Sequence, residues 1–335
     1  MRLLPWLGLV PLLVLTSSGD EPRATFGRGA AMTATRVTID PRDPAHVRVG
    51  ALSFVGGVRL RGNQAAFGGF SSMTVEGDRF TLLSDGGTIV RFRMGADFVP
   101  RDVRFADLPG GPRTGAYKKE RDSESMTGAG TPWRWVGFED ANEIWRFDAA
   151  LTHPQRIGRP AAMRRWPVAG GAEAMVRLRD GRFVVFSEAK EPPHLPDARV
   201  ALLFAGDPTL PGRAPMPFVY VPPRDYEPTD AAELPDGRLV VLNRRFGFPD
   251  LFTARVTLID LKGLRPGKVV RGQEIAALVP PLLHDNYEAI AVTQEAGATM
   301  LWIASDDNQE GWEWSLLLKF RLDLPRRAKT GSERR

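Results

Sequence analysis

The sequence contains no cysteine. That excludes disulfides, thiol catalysis, zinc–thiolate sites and a lipoprotein anchor. Its four histidines (His46, His153, His194, His284) are scattered, with no spacing that would build a zinc site. Only His284, just ahead of Glu288, falls near the carboxylate cluster described below. No Gly-x-Ser-x-Gly elbow occurs, so a serine hydrolase triad has no visible nucleophile, and no base is indicated for Ser72, Ser123 or Ser125. Asn-x-Ser/Thr sequons are also missing. No stretch carries a convincing helical period. The N-terminal apolar run, Leu3 to Leu15, is too short to span a bilayer core of roughly 30 Å as a helix. Charge is nearly balanced, 45 Lys and Arg against 40 Asp and Glu for a net of +5. An excess of that size suits an anionic ligand or a membrane surface and is too small for a nucleic-acid footprint.

What is present starts with Arg2, the apolar run, and small residues at Ser17, Ser18 and Gly19. This pattern predicts a cleavable signal peptide over residues 1–19 and a periplasmic or secreted protein. A flexible segment (20–34) and a basic tail (324–335, with Arg326, Arg327, Lys329, Arg334 and Arg335) are expected to flank one domain over 35–323.

Within that domain, short apolar runs bounded by Gly, Pro and Asp indicate strands and turns. Five units are self-similar: 70–92, 122–147, 171–188, 228–246 and 286–308 with its continuation 315–320. Each opens on a polar, mostly acidic position followed by a small-apolar strand. A turn follows, often Asp-Gly-Arg, and then a strongly apolar strand ending in Ser, Asn or an acid. The opening positions Ser72, Glu124, Glu173, Asp230 and Glu288 are separated by 52, 49, 57 and 58 residues. A period near 50 with about four strands per unit predicts an all-β fold, a β-propeller of four-stranded antiparallel blades. Five repeats are counted, and the less regular N-terminal region leaves room for a sixth blade. Val49–Leu60 is expected to supply the outer strand of the last blade and close the ring.

In such a blade the start of the innermost strand and the end of the next one lie on the same face of the disc. That face should gather Asp122, Glu124, Glu173, Asp230 and Glu288 from strand starts. From second-strand ends it should gather Asp85, Glu139, Glu188, Arg244, Arg245, Asp306 and Asp307. Clustered carboxylates repel one another, and a hard cation relieves the conflict. All-oxygen donors favour Ca²⁺ or Mg²⁺ over Zn²⁺. The candidate metal ligands are therefore Glu124, Glu173, Asp230, Glu288 and Asp306. The competing reading is structural: acids at strand starts that accept backbone N–H bonds from the neighbouring blade. Arg244 and Arg245, with Asp85 and Glu188, are the candidate substrate contacts. Adjacent strand residues face opposite ways, so only one of the two arginines should reach the mouth. Its structural alternative is a salt bridge to an acid of the next blade. Lys118, Lys119 and Arg121 read as a solvated loop. No residue is assigned a catalytic role.

The units resemble the phytase-like family of bacterial exported proteins, described as "esterase-like activity of phytase". The residues that carry the resemblance are Asp122-Ser-Glu-Ser-Met, Glu173-Ala-Met with Asp180-Gly-Arg, and Pro228-Thr-Asp-Ala-Ala with Leu234-Pro-Asp-Gly-Arg. Asn243-Arg-Arg-Phe, Tyr287-Glu-Ala-Ile-Ala and Ser305-Asp-Asp-Asn complete the set. They span roughly residues 48–322. The resemblance implies a propeller related to calcium-dependent phytases, usually six-bladed, with phosphoesterase activity on an anionic small molecule such as a phosphate ester. Where the family places Gly after the acid of its strand starts, this chain has Ser125, Ala174 and Ala289, and its first unit carries Ser72 and no acid. Two other functions fit a propeller: a non-catalytic module binding a ligand or protein, and a lactone or carboxylic-ester hydrolase.

Overall fold

The computed structural model describes residues 22–309 and 313–324. The signal peptide expected at 1–19 and the basic tail beyond residue 324 lie outside the described residues.

Three strands precede the first repeat: β1 (Met32–Val37), β2 (Arg48–Val49) and β3 (Leu52–Gly62). The first blade is β4 (Phe70–Glu76), β5 (Arg79–Ser84), β6 (Thr88–Met94) and β7 (Pro100–Asp107). The second is β8 (Ser123–Thr127), β9 (Trp133–Phe138), β10 (Glu143–Asp148) and β11 (Pro154–Gly158). The third is β12 (Ala172–Arg177), β13 (Phe183–Ser187), β14 (Arg199–Phe204) and β15 (Met216–Val221). The fourth is β16 (Glu227–Glu233), β17 (Leu239–Gly247), β18 (Leu251–Ile259) and, after the short β19 (Val269–Arg271), β20 (Gln273–Leu278). β19 adds parallel to the outer edge of the third blade, on β15. The fifth is β21 (Tyr287–Glu295), β22 (Ala298–Ser305) and β23 (Ser315–Leu322). β3 completes it by pairing antiparallel with β23, and β1 and β2 add to β3.

The N-terminal strands thus finish the fifth blade instead of forming a sixth, and the propeller has five blades. The innermost strands β4, β8, β12, β16 and β21 each touch the next, and β21 touches β4 to close the ring. The lead-in before β1 is tied to the disc: Arg23 donates to the carbonyls of Gly115 and Gly86 and to Asp107 Oδ1.

The turns follow from their residues. In Asp180-Gly181-Arg182, Asp180 Oδ1 accepts the Arg182 N–H at 3.0 Å, and Gly181 takes φ +89°, a conformation that glycine adopts without strain. Five apolar clusters then hold the disc together, one between each pair of neighbouring blades. Between the first and fifth, Phe80 stacks on Phe92 at 5.0 Å and meets Trp302 edge-on at 4.7 Å. Full burial of one such side chain contributes about 1.5–3 kcal/mol, so the blade interfaces carry the stability. Among the described residues no helix is long and apolar enough to cross a membrane.

Candidate functional site

Every innermost strand carries a one-residue bulge at the same height. The unpaired residues are Ser71 in β4, Glu124 in β8, Glu173 in β12, Thr229 in β16 and Glu288 in β21. A bulge locally re-aims a side chain. Opposite each bulge the second strand presents Ser84, Phe138, Ser187, Asn243 and Ser305, the last residue of that strand in every blade but the fourth, where β17 runs on to Gly247. The residues that follow are Asp85, Glu139, Glu188, Arg244 and Asp306. One face of the disc therefore presents five equivalent pairs: Ser71/Asp85, Glu124/Glu139, Glu173/Glu188, Thr229/Arg244 and Glu288/Asp306.

The second and third blades bring their acids closest together. Carboxylate oxygens of Asp122, Glu124 and Glu139 lie within 4.8 Å of one another, as do those of Glu139, Glu173 and Glu188. Glu139 belongs to both triads. Its Oε1 also accepts the backbone N–H groups of Gly170 and Gly171, the latter at 3.0 Å, on the segment leading into β12. Asp122 sits at φ +38°, tolerable for aspartate, and its carbonyl accepts the Glu139 N–H at 2.9 Å.

Such crowding favours protonation. Burial, with Glu139 and Asp85 nearby, pushes the Asp122 carboxyl up to about 8. Burial and the charges of Asp122 and Glu139 drive Glu124 well above the ordinary carboxylate range, and burial with Glu188 and Glu139 does the same to Glu173. Burial also raises Glu139 and Glu188. Glu288 rises to about 8 through burial, with Arg244 holding it back. Asp306 goes well above its usual value through burial and the facing Asp85.

Arg244 and Lys118 answer these acids. Arg244, from the fourth blade, reaches both neighbours: Nη2 meets Glu188 Oε1 of the third blade at 2.7 Å and Nη1 meets Glu288 Oε1 of the fifth at 2.9 Å. Nη1 also donates to Asn286 Oδ1 at 3.0 Å. Arg245 turns away, its guanidinium 5.9 Å from the centre of the Tyr226 ring. The second cation is Lys118, in a short 3-10 helix (Lys118–Glu120), whose Nζ meets Asp85 Oδ2 at 2.7 Å. Burial would lower its pKa, but Asp85, Asp306 and Glu124 raise it. Lys118 is thus part of the mouth and not a solvated loop.

Of the expected metal ligands, Glu124 and Glu173 stand in the triads, and Glu288 and Asp306 stand on the same ring. Asp230 is not brought to the triads. It lies one residue past the bulge, buried, and its carboxylate accepts N–H bonds from Ile290 and Ala231, each at 2.8 Å. It lines a cavity of about 320 Å³ with Met73, Met126, Met175 and Ile290. Ser72 is its counterpart in the first blade, and Ser71 occupies the bulge. Of the expected substrate contacts, Arg244, Asp85 and Glu188 are on the ring. His284 lines a separate small cleft with Phe252, Asp285 and Glu313. Sequence reasoning missed Asn286, which stands in the fifth blade where Asp122 stands in the second, its carbonyl accepting the Asp306 N–H as that of Asp122 accepts the Glu139 N–H, and set Lys118 aside.

Over residues 65–309 the chain matches the family described as "Phytase-like: Esterase-like activity of phytase". The chain belongs to this family. No curated protein matches it. Solved structures are similar to this chain only at low identity. A hypothetical protein from Leishmania major is similar at 9% identity and a TM-score of 0.40, covering 92% of each chain. A catalytically inactive virginiamycin B lyase from Staphylococcus aureus with quinupristin is similar at 10% identity and 0.40, covering 88% of this chain and 99% of that one. Kuenenia stuttgartiensis hydrazine synthase is similar at 10% and 0.36, covering 73% of this chain, which spans only 58% of that chain's length.

The donor chemistry of the ring fits the calcium that the family resemblance implies. The two triads offer only carboxylate oxygens, with no nitrogen or sulfur, as a hard divalent cation requires. Raised carboxyl pKa values mark groups whose ionised forms lack a sufficient counter-charge within the chain.

Proposed function

We propose that this protein is an exported, metal-assisted hydrolase of anionic esters, acting at the carboxylate-lined mouth of its propeller. The observation that carries the reading is the pair of carboxylate triads joined through Glu139. Glu124, Glu139 and Glu173, with Asp122 and Glu188 beside them, are the residues that would hold Ca²⁺. Bound there, the cation supplies Lewis-acid charge against the charge that develops on a phosphoryl group during its transfer. The chain's own residues do the positioning. Gly170 and Gly171 fix the Glu139 carboxylate by backbone donation. Arg244 holds Glu188 and Glu288 in one geometry and keeps the third, fourth and fifth blades in register at the mouth. Preorganised side chains of this kind need no rearrangement when charge develops.

One observation favours a second reading, a non-catalytic binding propeller. Arg244 and Lys118 are both paired with carboxylates, so neither presents an unengaged charge to a phosphoryl group. The deciding experiment is turnover of p-nitrophenyl phosphate, phytate and a lactone panel, with calcium and with chelator, by the native chain and Glu173→Gln. Calcium-dependent phosphate release lost in the variant supports the hydrolase. Turnover of lactones alone replaces it with a lactonase. Calcium binding without any turnover leaves the binding propeller.

A further inference from the structure

The cavity of about 320 Å³ that Asp230 lines is bounded by all five innermost strands, so it occupies the channel at the centre of the disc. It is separate from the carboxylate ring. Asp230, one residue past the bulge, marks its deep end. Ala129, Arg179 and Pro235 mark its outer end, exposed in the turns that join first and second strands. Those turns lie at the opposite end of the strands from the bulges, so the cavity opens on the face away from the ring. Near the deep end it meets Met73, Met126, Met175, Ala231 and Ile290, each two residues past its blade's bulge.

These five residues turn backbone groups into the channel. In an antiparallel pair, residues that bond to the partner strand alternate with residues whose N–H and C=O point the other way. The hairpin bonds from the Leu178 and Leu234 N–H groups to the Arg182 and Arg238 carbonyls, both 2.8 Å, fix the phase. Three residues back, Met175 opposite Val185 and Ala231 opposite Val241 therefore point inward. Met73, Met126 and Ile290 hold the same place in their blades. The side chain that caps such an N–H stands one residue past the bulge. Asp230 caps two: its Oδ2 accepts the Ile290 N–H of the next blade and its Oδ1 the Ala231 N–H, each at 2.8 Å. The same position is Ser72, Ser125, Ala174 or Ala289 elsewhere. Ser72 Oγ is buried and makes no hydrogen bond among the described residues, and Ser125 Oγ donates to the Ala172 carbonyl at 2.9 Å. Alanine has no acceptor. The N–H groups of Met73, Met126 and Met175, from three consecutive blades, thus face the cavity without a cap, and a buried N–H calls for an acceptor.

We infer that this cavity is a second binding site, for a small uncharged molecule that carries an acceptor oxygen, such as a ketone or amide carbonyl, on a compact apolar frame. The oxygen takes the uncapped N–H groups, and the frame lies among the side chains of Met73, Met126, Met175 and Ile290. Methionine adapts its shape to such frames. The volume falls within the range of ligand pockets, roughly 300–1,000 Å³. An anion is disfavoured because the Asp230 carboxyl stands at the same depth, whereas Arg177 and Arg179 line only the outer part, with Arg179 already donating to the Pro235 carbonyl at 2.8 Å. A cation is disfavoured because the uncapped groups are donors and both Asp230 oxygens are already engaged. The inference concerns the face opposite the carboxylate ring and stands independently of the hydrolase reading.

The test is calorimetric titration with cyclohexanone, cyclohexanecarboxylate and cyclohexylammonium, in the presence of chelator, of the native chain and of Ser72→Asp and Ala232→Phe. Cyclohexanone should bind the native chain saturably and at least about tenfold more tightly than either ion, since an ion entering the channel loses its hydration. Ser72→Asp supplies for Met126 the cap that Asp230 supplies for Ile290, and Ala232→Phe puts a ring into the cavity that Ala232 lines. Each should weaken cyclohexanone binding about tenfold or more, with a cooperative melting transition showing that the variant is folded. If a variant does not fold, the order of the three probes on the native chain still decides. Absence of saturable cyclohexanone binding, which means that water alone satisfies the N–H groups, would overturn the inference. So would tighter binding of either ion, or an affinity unchanged in both folded variants. None of these outcomes bears on the carboxylate ring, which calcium titration tests separately.

Discussion

Arg244 and Glu288 meet at 2.9 Å across the boundary between the fourth and fifth blades, and the same guanidinium holds Glu188 of the third. One side chain therefore ties three blades at the rim. Arg244→Met should cost about 3 kcal/mol of stability near pH 8, because it leaves two part-buried carboxylates without their partner. The cost should shrink at pH 5, where both acids can take up protons. Urea unfolding at the two pH values measures the difference. Equal stabilities at pH 8 would show that the contact is incidental.

The raised carboxyls predict how the cation-free protein responds to pH. Asp122 and Glu288 at about 8 and Asp285 at about 6, with Glu124 and Glu173 also elevated, keep protons in the folded state. The unfolded chain releases them near pH 4. Between about pH 4 and pH 8 the folded state binds more protons, so its stability falls as pH rises. Chelated protein should melt about 5 °C lower or more at pH 8 than at pH 5. Calcium should restore more at pH 8, where the ligands are ionised. A melting temperature that rises across this window without calcium would contradict the assignment.

Asp230 and Glu139 should behave oppositely. Glu139→Gln removes the carboxylate common to both triads and should weaken calcium binding about 100-fold, a loss on the scale of removing a ligand-set member. Asp230→Ala should leave calcium affinity within about twofold. It should cost about 2 kcal/mol of stability, because the Ile290 N–H is left buried without an acceptor. Calcium titration and denaturation of the two variants separate these outcomes.

Closure of the ring predicts the effect of truncation. Without residues up to Gly62, β23 loses β3 and exposes its edge, together with Leu316 and Leu318. Such a chain should lose its cooperative thermal transition and self-associate, as an uncovered apolar edge strand does. Scanning calorimetry with light scattering reads both.

The fold was largely legible because blades repeat. The Asp-Gly-Arg turns and the runs from Phe183 to Ser187 and Leu239 to Asn243 mark the same hairpin at a near-constant spacing, and hairpin geometry alone assigns their ends to one face. The exact ring was harder to read. A bulge leaves no composition signal, so an acid one step inside the blade, Asp230, was aligned with acids that sit on bulges, and Thr229 was overlooked. Lys118 could not be placed from sequence, because a loop position acquires meaning only when Asp85 faces it. Arg244 and Arg245 were separable by strand alternation.

The central claim is that the triads joined at Glu139 form a divalent-cation site. Calcium titration by calorimetry, on the native chain and on Glu139→Gln at pH 8, tests it most directly. The account predicts saturable binding with proton release from the native chain, since protonated carboxyls must ionise to bind, and about 100-fold weaker binding in the variant. Absence of calcium binding by the folded native chain, or equal binding by the variant, would contradict it.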